Sequence, residues 1–236
     1  MNKRLIPIFL SVVAGIVAIA AGVWWLSAAL AYQLPRFDGK TADEWNEQLA
    51  GGDTGASNRA YAVLTGQIIP QLGDQMLHDT NDSKLKMSII GTLNGIPGVD
   101  VRYVDALGRR LSSAYELGTF GPPGSAAVPY LIQALQGPNA GMYEGSHHSL
   151  HDTAMESLGN IHGSPEVVIP FLIPYLAYGN MREEAAEVLG HYGSAARVAV
   201  PKIIPMLNAN DDDTRATARA VLKQIVPDAA AKAGVK

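Results

Sequence analysis

One motif recurs along this chain at fixed internal spacing and limits what the chain can fold into. It is a Leu, an aromatic or aliphatic residue three places on, and an apolar residue followed by Pro, the Pro twelve places after the Leu. It reads Leu117, Phe120, Val128-Pro129, then Leu158, Ile161, Ile169-Pro170, then Leu189, Tyr192, Val200-Pro201. A second Leu follows each Pro by six residues, at Leu135, Leu176 and Leu207. Such identity of spacing marks one supersecondary unit used several times. The leading Leu positions 117, 158, 189 and 222 lie 41, 31 and 33 residues apart, lengths that suit two helices and two turns.

Within the first helix of each copy, the position seven before the Leu holds Arg110, His151, Arg182 or Arg215, and the position four before it holds Ser113, Ala154, Ala185 or Ala218. A small residue and a Leu four apart share one helix face. Small side chains there allow neighbouring helices to approach, and a long guanidinium can lie along the seam and bond carbonyls or carboxylates next door. The ladder Arg110, Arg182, Arg215 is therefore expected to be structural. In the second helices Val128, Leu131, Ile132 and Leu135 form an apolar stripe, matched by Ile169, Leu172, Ile173 and Leu176 and by Val200, Ile203, Ile204 and Leu207. These stripes predict a continuous core. Ser125, Ser164 and Ser194 are the expected caps before each Pro, while Pro174 and Pro205 lie deeper and predict kinks.

The pattern resembles the bacterial HEAT-like repeats, of the kind also found in bilin lyases, whose consensus runs through Arg-x-x-Ala-x-x-x-Leu-Gly and then Ala-Val-Pro-x-Leu. The stretches that carry the resemblance are Arg182 to Gly190 with Ala199-Val200-Pro201, Leu158-Gly159 with Ile169-Pro170, and Leu117-Gly118 with Ala127-Val128-Pro129. It covers residues 109–227, with a weaker earlier copy at Lys86, Leu93 and Ile96 and a terminal cap around Leu222. It implies an all-α fold, an α-α superhelix of helical hairpins, and is silent on function.

No charged residue occurs between Arg4 and Arg36, and nearly everything from Leu5 to Leu30 is apolar, a length that spans a bilayer. Lys3 and Arg4 precede it and Trp24, Trp25 and Tyr32 follow at its far end, which predicts a cytoplasmic N-terminus and export of the rest. Ala29-Leu30-Ala31 fits a signal-peptidase site, but the apolar run is longer than a secretory one, so a retained signal anchor is expected. The chain then divides into residues 1–36, a cytoplasmic tip and single transmembrane helix, and residues 37–236, an exported repeat domain in the periplasm or outside the cell. Lipid contact falls to residues 5–32.

The chain after Tyr32 carries 16 basic against 22 acidic residues, which argues against nucleic acid as a partner. The absence of Cys removes thiol nucleophiles and Cys-based zinc sites. Ahead of the repeats, Thr41 and Glu44 make a capping box for a helix carrying Trp45 and Leu49, expected to dock on the first repeat with Trp45 buried. Further caps are expected near Asp53 and Asp82.

The longest insertion, residues 137–149, leads into His151 and Asp152. His147 and His151 lie four apart, a spacing that lets two imidazoles grip one metal ion, with Asp152 or Glu144 as an oxygen ligand. The competing reading makes His151 the ladder rung that Arg fills elsewhere. No catalytic motif and no cofactor site is found, so the chain is expected not to be an enzyme. The expected binding surface is the second-helix face at the positions one and five after each Pro, with Tyr130, Phe171, Tyr175, Lys202 and Met206. The expected function is a membrane-anchored scaffold or accessory subunit that presents this face to another envelope or membrane protein. The alternative is a metal-binding sensor, or an enzyme accessory resembling the repeat proteins of bilin lyases, that uses residues 137–152.

Overall fold

A computed structural model describes residues 5–31, 33–137, 149–177 and 181–227, with side chains from residue 14 onward. His147 and most of the insertion lie outside the described residues. The described residues are helical, without a strand, and fall into two compact units: residues 1–34 with 80–106, and residues 35–79 with 107–236.

The first unit holds α1 (Leu5–Leu30) and α5 (Lys84–Asn94). Its small core consists of Ile90, Leu93 and Val101 packed against Val23, Leu26 and Leu30, which lie three and four apart on one face of α1. Lys86 and Leu93 had been expected to start a weak repeat; here their helix packs on α1. The reason is the short run after Asn94, which has no room for a second helix: it closes instead with a turn in which Ile96 N–H bonds Leu93 O and Val99 N–H bonds Ile96 O. Ser83 caps α5, not Asp82, whose carboxylate accepts from Tyr103 Oη and Ala106 N–H. Among the residues described with their side chains, which take in α1 only from residue 14, no helix is long and apolar enough to cross a membrane.

The second unit begins with α2 (Ala42–Ala50), entered through the Thr41/Glu44 capping box, and α3 (Thr54–Val63), capped by Asp53. A π-turn at Leu64–Ile68 carries α3 into α4 (Ile69–His78). Trp45 is 2% exposed, its indole N–H bonded to Phe37 O at 2.7 Å and its ring under Lys40 Nζ. Asn46 Nδ2 bonds Thr119 O, which docks α2 on the first clear repeat. Residues 80–106 leave this unit and return to it, and the two ends of the gap are tied by Arg109, whose Nε and Nη2 reach the two oxygens of Asp79 at 2.6 and 2.9 Å.

The hairpins follow: α6 (Ala106–Thr119) with α7 (Val128–Gln136), α8 (Leu150–Ile161) with α9 (Pro165–Leu172), α10 (Arg182–His191) with α11 (Val200–Ile203), and the terminal α12 (Asp212–Ile225). Ala154, Ala185 and Ala218 are fully buried, as are Leu117, Leu158 and Leu189. The Gly after each Leu explains the stacking. A Cβ on Gly118 would lie 2.9 Å from Ser157 Cα; one on Gly159 would lie 3.3 Å from Val188, and one on Gly190 3.3 Å from Val221. Ser157, Val188 and Val221 each precede the Leu of the next copy, so one helix-to-helix contact repeats in one register. This is an array of stacked helical hairpins.

The entries to the second helices differ from the expected Ser caps. α7 and α11 are reached through 3-10 turns at Pro122–Ala127 and Gly193–Ala199, and the hydroxyl of Ser125 bonds Pro122 O instead. At Pro174 and Pro205 the backbone tightens into 3-10 turns, Ile173–Ala177 and Ile204–Asn208. Proline lacks the N–H that an α-helical bond would need at these places.

Candidate functional site

The ladder residues all perform one task. Arg110 Nε donates to Met76 O at 2.7 Å, Arg182 Nε to Leu176 O at 3.1 Å, and Arg215 Nη1 to Ala209 O. Each carbonyl lies at the C-terminal end of the preceding helix, where backbone oxygens have no helical partner and the helix dipole favours a cation. His151 stands on the same rung, with Nε2 3.1 Å from Gly137 O just past α7. Asp152 closes a capping box with Ser149, accepting from Ser149 N–H at 2.8 Å. Of the residues expected to hold a metal, His151 and Asp152 thus have structural partners, and His147 lies outside the described residues. Among the described residues no group of three or more His, Asp or Glu side chains could hold a metal ion.

The expected binding residues divide. Lys202 is exposed. Tyr130 is half-buried with its ring against Gly73 of α4, where a Cβ would collide with it. Phe171 and Tyr175 are half-buried, their ring centroids 5.3 Å apart, and Tyr175 Oη reaches Leu135 O. Met206 is 4% exposed and belongs to the core, while Ile204, expected inside, is 49% exposed. The cause is the 3-10 turn at Ile204–Asn208: three residues per turn carry the inward face from Ile203 to Met206 and turn Ile204 outward. The outward row on the second helices is therefore the prolines and the positions four after them: Pro129 and Gln133, Pro170 and Pro174, Pro201 and Pro205 are all exposed. Val167 and Val198 join Ile204 as large apolar side chains open to solvent beside this row.

A second concavity was missed in the sequence. Asp152, Glu156 and Asn160 on α8 and Glu184, Glu187 and His191 on α10 line a cleft of about 560 Å³, floored by Met155 and Val188. Among the described residues no Lys or Arg lines it. Glu184 Oε2 is buried without a hydrogen-bond partner, and burial, with Asp152, Glu183 and Glu187 adding repulsion, raises its pKa above the usual carboxylate range. His191 also lies edge-on to His162 at 5.5 Å, and the neighbouring Tyr192 phenol, bonded to Gly163 O at 2.8 Å, is pushed up to about 12 by burial and by Glu166. The signal was available: Glu156 and Glu187 each stand two places before the repeat Leu, and Asn160 and His191 two places after it.

No protein-family model matches the chain, and no curated protein matches it. Among solved structures it is similar to the complex of CpcE and CpcF of phycocyanin lyase from Nostoc sp. PCC7120, at 20% sequence identity and a TM-score of 0.46, over 84% of this chain and 71% of that one. The lyase activity and the pairing of two subunits belong to that protein. Against this finding the expectation that the present chain is not an enzyme is not retained.

Proposed function

We propose that this chain is a membrane-anchored helical-repeat protein that binds another envelope or membrane protein along its second helices. The observation that carries the reading is the row of exposed prolines at Pro170, Pro174, Pro201 and Pro205, flanked by the solvent-open Val167, Val198 and Ile204. Proline and short aliphatic side chains lose little conformational entropy when covered, and a repeat array places them at a regular pitch. The reading leaves open service within an enzyme assembly.

The anchor rests on the uncharged run between Arg4 and Arg36 and on the 26 residues of α1. At ~1.5 Å per residue such a helix measures roughly 39 Å, against a hydrocarbon core of about 30 Å. With Lys3 and Arg4 on the inner side, the repeats would face the periplasm or exterior.

The test places a photo-crosslinking side chain singly at Val167, Val198 and Ile204 in the full-length protein in its native membrane, with Tyr115 and Arg219 as control positions. The reading expects one and the same protein adduct from the three sites and none from the controls. Adducts that differ from site to site, or that arise equally at the controls, would contradict it.

A further inference from the structure

The first unit has a small core and a large uncovered apolar surface. Ile19, Trp24 and Leu85 are 69%, 74% and 72% exposed, and Ile16, Met87 and Ile96 are also open. Soluble surfaces rarely collect apolar side chains at this density. A groove of about 710 Å³ has α1 residues from Ile16 to Ala31 as one wall and Ile96–Asp100 as the other, and its lining is mostly aliphatic. Whatever medium surrounds α1 at the level of Ile16 to Trp24 therefore also bathes Ile96, Pro97, Gly98 and Val99.

We propose that the hairpin formed by α5 and the 96–100 turn is embedded beside α1 in the interfacial layer of a lipid bilayer, with phospholipid acyl chains filling the groove between them. The inference deepens the reading of α1 as a membrane anchor and rests on it.

Three features of the hairpin suit that medium. Backbone polar groups leaving water need internal partners. Here Ile96 N–H bonds Leu93 O at 2.9 Å, Pro97 has no N–H, and Val99 N–H bonds Ile96 O at 3.1 Å. Val101 N–H and C=O both bond the Asn94 side chain, at 2.7 and 3.2 Å. Next, the turn is uncharged from Gly95 to Val99, and its first charge is Asp100. Finally, Lys84 and Lys86 flank the exposed Leu85, which matches an apolar side chain seated among acyl chains with ammonium groups at the lipid phosphates. Trp24 and Trp25 belong to the residue type that collects at this depth.

The chain has no Cys, so single introduced thiols report without background. Leu85→Cys, Ile96→Cys, Ile19→Cys and Val198→Cys, each in the full-length protein, are labelled with a polarity-sensitive fluorophore and reconstituted into phosphatidylethanolamine/phosphatidylglycerol vesicles that carry lipid-bound nitroxides. All four positions are exposed, so labelling leaves the cores intact. Blue-shifted emission and quenching at positions 85 and 96 comparable to those at 19, with none at 198, is the expected result. Quenching at 19 without quenching at 85 and 96 would overturn this inference and leave the anchor standing. No quenching at 19 would overturn both, and equal quenching at 198 would show unspecific adsorption and overturn the hairpin's assignment.

Discussion

Glu116 is the residue whose charge most opposes the fold. Its carboxyl is pushed up to about 7, first by burial and then by Asp43 at the start of α2. In the unfolded chain it would titrate near the ordinary carboxylate value of 4.5. The folded state therefore holds the proton more tightly than the unfolded state, and stability falls as pH climbs from 4.5 to about 7, levelling above it. Glu116→Gln removes that penalty. Thermal melts of the variant should exceed the parent at pH 8 by about 1–2 kcal/mol, a figure reduced for the carboxyl's partial exposure, and the gap should vanish near pH 4.5. An equal gap at both pH values would mean that the carboxyl's charge is not the cause. Glu184 shifts in the same direction, so the acidic cleft adds to this decline.

At the scale of elements, two devices hold the repeats together, and each predicts a distinct loss. Gly118→Ala puts a methyl group against Ser157, whose backbone cannot yield as a side chain would, and overpacking of this kind costs roughly 1–3 kcal/mol in denaturant unfolding. Gly22→Ala on α1, where the space is open, should cost no more than a surface change. Arg182→Ala leaves Leu176 O without its cationic donor, a loss of about 1.5–3 kcal/mol, whereas His151→Arg restores the residue type of the other rungs and should be neutral or stabilising. A destabilised His151→Arg protein would show that the imidazole does more than stand on a rung. These devices were legible because the α-helical period fixes which residues share a face: the Ala and Leu positions of the first helices, and the Arg rungs, follow from spacing alone. Met206 and Ile204 were not legible, because the switch to three residues per turn at Pro205 exchanges inside for outside without leaving a mark in the periodicity. Ser125 and Ser194 failed as caps for a related reason, since 3-10 turns already supply the backbone partners that a hydroxyl would have supplied, while Ser164 stands at the N-cap of α9 without a side-chain bond.

At the scale of the whole molecule, the chain combines an apolar unit with a repeat array, and the boundary between them does not follow the order of the sequence. Lys86, Leu93 and Ile96 were expected to form a weaker copy ahead of the clear repeats, yet residues 80–106 group with α1. A contiguous reading cannot see this, because Val23, Leu26 and Leu30 find Ile90 and Leu93 only through tertiary contact. The acidic cleft, with carboxylates from α8 and α10, shows in the sequence only once the two copies are set in register on their Leu positions. The account's central claim is that the outward proline row of the second helices is the binding surface. The most direct measurement is partner recovery by the full-length protein, solubilised in mild detergent, for the parent and for a Val167→Glu, Val198→Glu, Ile204→Glu variant. All three side chains are exposed, so the variant should keep the parent's helical circular dichroism and melting temperature. The account predicts that this folded variant loses the partner that the parent retains; retention of the partner at parental yield would contradict it.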